Sequence, residues 1–374
     1  MDEERIRALA LRLADVHRRG EMDRVDHAVT VSTARYTDPT WLERERAFVL
    51  RREPQLVGFS GDIPERGDYL TTMVADRSVL LVRGDDGVAR ALVNACRHRG
   101  SAVAEGSGNA KRFACPYHHW TYASDGRLVA VPDRASFTGC DLADGLLALP
   151  LAERHGLLVA HPDPDGRADV DAFLGALGPE LTHFGLDQLR RVRRRGARVA
   201  CNWKLTIDAA QEGYHVRYLH GRTLAGRAGW ECIDDGFGRH QRLGFASPEA
   251  AEPTFLDRTP AQLMEEMTFT HFLHPNAVLV VGTDSVILQR SAPAAVPGEC
   301  DIELTTYSWG ALTDDARDGA EKLFELVWKI TLDEDLWVQE AAQRNFESGV
   351  DRIVFGGVEP ALQRIHANWD AAVG

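Results

Sequence analysis

CRHRGSAVAEGSGNAKRFACPYHHW, residues 96–120, places two cysteines and three histidines within 25 positions. Four of these five form two short claws, Cys96-x-His98 and Cys115-x2-His118, with 16 residues between them. A Cys2His2 set reads first as structural zinc, held in a tetrahedron by four such ligands. Zinc fingers keep like ligands together, however, with two cysteines in one claw and two histidines in the other. Here each claw mixes one thiolate with one imidazole.

A Rieske [2Fe–2S] centre requires that mixture, because two cysteines hold one iron and two histidines the other. Cys96, His98, Cys115 and His118 are therefore the expected cluster ligands. Gly100 and Pro116 suit the tight turns that fold two loops around one cluster. His119 is a neighbour of the set, not a fifth ligand. Arg97, Arg99, Lys111 and Arg112 face Glu105 alone, a local balance of +3 in a chain of −13. Such an island suits an acidic patch on an electron donor.

The chain has 374 residues, enough for two domains, and is 44% hydrophobic and 26% charged. No apolar run approaches the roughly 18 residues of a membrane span. The opening MDEERIRALALRLADVHRRG is acidic and lacks a cleavable apolar core, while Ile6, Leu9, Leu13 and Val16 mark one face of a helix. The acidic net charge argues against nucleic acid as a partner. LRRVRRRGAR, 189–198, holds six arginines but no aromatics for base stacking, so it reads as a solvated strand edge. Six scattered cysteines and no export signal predict reduced thiols in the cytoplasm.

Two hairpin patterns flank the claws: VLLVRGDDGVARALVN, 79–94, and YASDGRLVAV, 122–131. HGLLVAHPDPDG, 155–166, closes this β region. Helix signals follow near DAFLGALG, then a second β stretch including 274–293 and 300–310, then a long helical pattern over 315–346. A β domain is thus inserted near the start of an α+β domain.

A second metal site is suggested by NWKLTIDAAQEGYHVRYLH, 202–220. His215 and His220 lie about 140° apart on an ideal helix, so both can face one metal only where the helix is distorted or ends between them. Glu212 stands three residues before His215, and an acidic cluster, Asp333-Glu334-Asp335, lies in the C-terminal pattern. Two histidines and one carboxylate make the facial triad of non-haem Fe(II), with positions open for O₂.

The two claws and the NWK…E-x-Y-H-x4-H block together resemble the catalytic α subunit of the Rieske non-haem iron oxygenases, from roughly Tyr36 to Phe346. The family's C-terminal pattern, E-D-x7-Q, matches Glu334-Asp335…Gln343, which implies Asp335 as third iron ligand, with Asp333 the alternative. The resemblance assigns Glu212 to a bridge between His215 and a Rieske histidine of the neighbouring subunit. Two departures stand out: relatives' acid–Asn pair is Asp208-Ala209 here, and the glycine common after the last cluster ligand is His119.

The resemblance implies an α+β fold: an all-β Rieske domain inserted near the start of a helix-grip (START-like) antiparallel-sheet catalytic domain. The expected boundaries are a helical segment at 1–44, the Rieske domain at 45–165 and the mononuclear iron domain at 166–374. The implied activity is O₂-dependent hydroxylation of a small, largely apolar, aromatic substrate. The alternative is monooxygenation or demethylation of a quaternary ammonium compound, which would need an aromatic cage with a nearby carboxylate. No G-x-G-x-x-G fingerprint occurs, so electrons from NAD(P)H must arrive through a separate reductase, with or without a ferredoxin. A homotrimer is implied, with or without a β subunit. Phe272, Leu273, Val278 and Val280 lie on strand patterns that either face the pocket or pack in the core.

Overall fold

The computed structural model of the chain describes residues 2–142, 144–223, 229–310 and 313–374. Two compact units emerge, one of Leu50–Leu174 with Gly185–Leu189, the other of Met1–Val49, Gly175–Phe184 and Arg190–Gly374. The first is thus inserted in the second, as the order of patterns in the sequence required.

The inserted unit is built from antiparallel sheets. Five strands run in the order Ala148–Leu149, Ala89–Val93, Arg77–Arg83, Asp68–Val74, Ser107–Asn109. Two three-stranded sheets flank them, one of them made of Arg112–Ala114, Thr121–Ala123 and Leu128–Ala130. RSVLLVR, 77–83, shows how the period of two divides the core. Val79 and Leu81 pack with Val57 and Leu158. Leu80 and Val82 turn the other way, onto Cys96, Phe113, Cys115 and Trp120. The claws thereby rest on a rigid face. Both hairpins form, and their turns put Gly87 and Gly126 at φ 83° and 89°, where a side chain would be strained.

In the larger unit, helix α1 (Glu3–Arg19) is capped by Asp2, whose carboxylate accepts the Arg5 N–H, and stops at Gly20 in a left-handed conformation. Ile6, Leu9, Leu13 and Val16 are buried together with Ile233, Phe255 and Phe269. The main sheet has seven strands: β1 (Leu189–Val199), β2 (Cys232–Phe237), β3 (His240–Ala246), β4 (Met267–Leu273), β5 (Ala277–Val281), β6 (Val286–Pro293) and β7 (Cys300–Trp309). Their order is β1-β7-β6-β5-β4-β3-β2. The arginine run is therefore an edge strand, and Arg194, Arg195 and Arg198 pair with Glu303, Glu325 and Asp301. Those acids account for three of its six arginines.

Helices cover the sheet: α2 (Trp203–Ala210), α3 (Val216–Leu219), α4 (Asp314–Ile330), α5 (Leu336–Glu347) and α6 (Pro360–Val373). Phe324 and Trp328 of α4 pack on Leu304 of β7. The long C-terminal pattern is not one regular helix. A wide π-type turn, Thr331–Asp335, separates α4 from α5. Such turns shift the facing of a few residues and are frequent at functional sites. All six cysteines are unpaired thiols. No helix among the described residues is long and apolar enough to cross a membrane.

Candidate metal centres

The first claw follows strand Ala89–Val93. Its turn closes through Gly100 N–H to Cys96 C=O (2.8 Å) and Cys96 N–H to Ser101 C=O (2.8 Å), with Gly100 at φ 76°. The second follows Arg112–Ala114 and closes through His119 N–H to Cys115 C=O, 2.8 Å. His119 sits at φ 58°, a left-handed conformation that glycine adopts freely and histidine does not. A glycine at this position would carry no such strain. Tyr122 ties the claws' base together: its hydroxyl accepts the Arg97 N–H at 2.9 Å and lies 3.2 Å from Cys96 Sγ.

Cys96 and Cys115 are buried, 3% and 2% exposed. Burial pushes the Cys115 thiol up, but the backbone N–H groups of Tyr117 and His118, together with the Cys96 and Ser101 side chains, hold it below its ordinary range. The His98 and His118 rings lie 4.5 Å apart, and His98 stacks on Trp120 at 4.9 Å. Nδ1 of His98 and Nδ1 of His118 are both buried without a hydrogen-bond partner. Two orphaned imidazole nitrogens beside two buried thiols fit a cluster that takes one pair on each iron.

The second centre is assembled where α2 ends. Asn202 caps α2 by accepting the Lys204 N–H at 3.0 Å, and the helix stops at Ala210. His215 and His220 then bracket the one-turn helix α3, so the 140° problem of a continuous helix does not arise. His215 Nε2 lies 3.9 Å, and His220 Nε2 3.0 Å, from Asp335 Oδ1. One ligand atom from each of the three residues falls within 4.8 Å of the others. Asp335 Oδ1 is buried and makes no well-formed hydrogen bond. Three ligand atoms converging at these distances fit a bound cation. Asp333 is exposed and stands outside this group.

Each imidazole is steadied by a carboxylate on its other nitrogen, as metal-bound histidines commonly are. Glu212 accepts from His215 Nδ1 and, at 3.0 Å, from the His215 N–H. It does so from a turn, not from a shared helical face. Glu334 accepts from His220 Nδ1 at 2.7 Å and from Thr223 Oγ1 at 3.0 Å. This contact was not read from the sequence, where Glu334 figured only as half of the E-D pair. Burial lowers the His220 pKa, but Asp335 and Glu334 together raise it above the ordinary value.

Asp208 faces away from this group, bonded to His366 at 2.8 Å and the Tyr36 hydroxyl at 2.9 Å, while Ala209 lines the cavity. That cavity, about 290 Å³, includes Glu212, His215, His220 and Asp335. The volume lies near the lower bound of ligand pockets, roughly 300 Å³. Ala210, Phe245, Val280, Ile302 and Leu336 supply apolar walls, and Thr206, Thr268, Thr270, Gln289, Thr331 and Gln339 uncharged polar ones. Of the strand residues in question, Val280 reaches the cavity, whereas Phe272, Leu273 and Val278 are buried elsewhere.

Residues 186–374 match the family model described as the ring-hydroxylating alpha subunit (catalytic domain), and 53–148 the Rieske [2Fe-2S] domain. The glycine betaine monooxygenase oxygenase subunit of Chromohalobacter salexigens is 27% identical over 363 residues, covering 84% of this chain and 78% of the relative. The carnitine monooxygenase oxygenase subunit of Escherichia coli K12 is 26% identical over 332 residues, covering 86% and 85%. A solved quaternary ammonium Rieske monooxygenase, described for carnitine oxidation and inter-subunit electron transfer, superposes with TM-score 0.76 at 20% identity, covering 91% and 95%. That likeness establishes the shared fold. With its catalytic-domain model spanning half of its length, its Rieske claws intact and its fold shared, the chain belongs to the ring-hydroxylating alpha subunits and is a terminal oxygenase of the Rieske type, an oxidoreductase that uses a [2Fe–2S] cluster and a mononuclear iron.

Proposed function

We propose that this oxygenase acts on a quaternary ammonium compound of the carnitine, choline or betaine type, in the cytoplasm, with electrons from NAD(P)H delivered by a separate reductase, with or without a ferredoxin. The observation that carries the reading is likeness along most of both chains to oxygenase subunits for glycine betaine and carnitine. Cys96, His98, Cys115 and His118 would hold the cluster; His215, His220 and Asp335 would hold the iron. When bound, the cluster supplies single electrons and the iron supplies a place for O₂ to be reduced. The chain's own residues hold the two imidazoles in one orientation, through Glu212 and Glu334, and enclose the substrate beside them.

The same proposal includes a head-to-tail homotrimer, in which Glu212 also accepts from a Rieske histidine of the neighbouring copy. Each carboxylate oxygen has two lone pairs, so its bonds to His215 leave capacity for one more donor. Exposed Tyr214, Tyr218 and Trp337, next to the metal-binding segments, supply apolar surface for such a neighbour to cover. A heterologous contact of this kind closes into a ring.

A second reading, a small, largely apolar aromatic substrate, is favoured by the cavity. Phe245 is the one aromatic ring in its described lining apart from the two histidines, and no lysine or arginine lines it. Cage recognition of a quaternary cation uses several rings. The test is NADH-dependent O₂ uptake with a surrogate reductase and a panel of both classes, products read by mass spectrometry. An aldehyde released by C–N cleavage supports the first reading; a hydroxylated ring with no quaternary ammonium turnover replaces it by the second.

A further inference from the structure

The cavity carries polar groups that no other described residue satisfies. Gln289 donates Nε2–H to the Thr206 carbonyl at 3.1 Å, which ties the strand β6 to α2 and leaves its Oε1 as an acceptor on the cavity side. Gln339 stands four residues after Asp335, one turn along α5 and therefore on the same side. Its Oε1 receives only a weak thiol contact from Cys201, at 3.8 Å, and its Nε2–H donors bond to no other group among the described residues. Thr268 and Thr270 stand two apart on β4, and so on one face, with hydroxyls that bond to no other group among the described residues. None of these atoms is sealed from the cavity as a buried orphan. They are neutral, and they offer both donors and acceptors.

We propose that Gln289, Gln339, Thr268 and Thr270 select a substrate carrying a hydroxyl, carbonyl or carboxylate group beside a compact apolar body. This rests on the reading of the cavity as the place of oxidation, but not on which substrate class fills it. An apolar molecule of the same size would strip water from these four side chains and return no hydrogen bond. A site built to bond a polar group rejects the analogue that lacks it far more strongly than a hydrophobic pocket rejects a missing methylene.

The experiment uses the holoenzyme with its reductase and two probe pairs: choline against tetramethylammonium, and phenol against benzene. Kd is measured by calorimetry and kcat/KM by product. The hydrogen-bonding member of the pair that binds is expected to be preferred by about 100-fold or more. Gln339→Leu and the near-isosteric Thr270→Val should each reduce that preference by about 10-fold, through Kd and KM with kcat little changed, and with the cluster spectrum and iron content intact. Equal affinity within the pair that binds, or a preference that survives both substitutions, overturns the proposal. Preference for phenol over benzene with no binding of either ammonium probe upholds it and removes the quaternary ammonium reading alone.

Discussion

Replacing Glu334 should loosen the mononuclear iron without touching the cluster. His220 is 4% exposed at its side chain, so its Nδ1–H has no route to water once the 2.7 Å bond to Glu334 is gone. A buried donor left without an acceptor costs about 1–3 kcal/mol. Loss of such an outer partner commonly weakens metal binding by about 10- to 100-fold, which is about 1.4–2.7 kcal/mol. Glu334→Ala should therefore fall near 100-fold, since it also frees the Thr223 hydroxyl. Glu334→Gln keeps a neutral acceptor and should stay near 10-fold. The assay is anaerobic competition for ferrous iron with a chelator, followed alongside the visible spectrum of the cluster. Iron affinity unchanged in Glu334→Ala would refute the role; so would equal loss of iron in the two variants, because then the hydrogen bond is not what matters.

Asp335→Ala should retain the cluster spectrum while losing mononuclear iron and product, whereas exposed Asp333→Ala should change each by less than about 2-fold; equal losses from both would move the third ligand. Glu212→Ala should leave the cluster in place and loosen the iron as loss of an outer partner does, yet even when fully loaded with iron it should turn over about 100-fold or more slowly if the proposed trimer passes electrons through this carboxylate; near-normal product from the iron-loaded variant would remove the bridge. Electron transfer from the donor should slow several-fold between low and high salt, through Arg99, Lys111 and Arg112, since Arg97 is already paired with Asp144; a flat salt dependence would show that these charges merely solvate the loops. His274 is buried with neither ring nitrogen bonded, and burial first, then Arg239 and His240, hold its pKa well below the ordinary 6.5. The unfolded chain thus binds a proton the folded one refuses, so stability present above pH 6.5 is lost as pH falls, by up to about 1.4 kcal/mol per unit. Thermal melts from pH 7.5 to 5 should be flatter for His274→Gln; parallel curves would exclude this histidine as a source of acid sensitivity.

The sequence alone decided whatever depends on residues close in the chain. The claws are local: each is a turn of three or four residues, so ligand type and spacing already state the cluster. The amphipathic start of α1, the two Gly-containing hairpins and the arginine edge strand were legible for the same reason, because alternation and turn chemistry act over a few residues. The pair His215 and His220 was legible as a candidate metal site only on the condition that no continuous regular helix carry both, and none does: α2 ends at Ala210, before both, and the two histidines cap the ends of the single turn α3.

Tertiary structure decided what depends on distant segments meeting. Glu334 and His220 are 114 residues apart, and no periodicity connects them. The pattern E-D-x7-Q already pointed to Asp335, but that its carboxylate comes within 3.0 Å of His220 Nε2 while Asp333 stays exposed was visible only in the folded chain, where a π-type turn occupies 331–335. The described lining of the cavity comes from α2, α3, α4, α5 and five strands, so its single phenyl ring and its six uncharged polar side chains were invisible until the sheet and helices had closed around them. Local chemistry names the metals, but the shape and polarity of the space beside them arise only where separate elements pack.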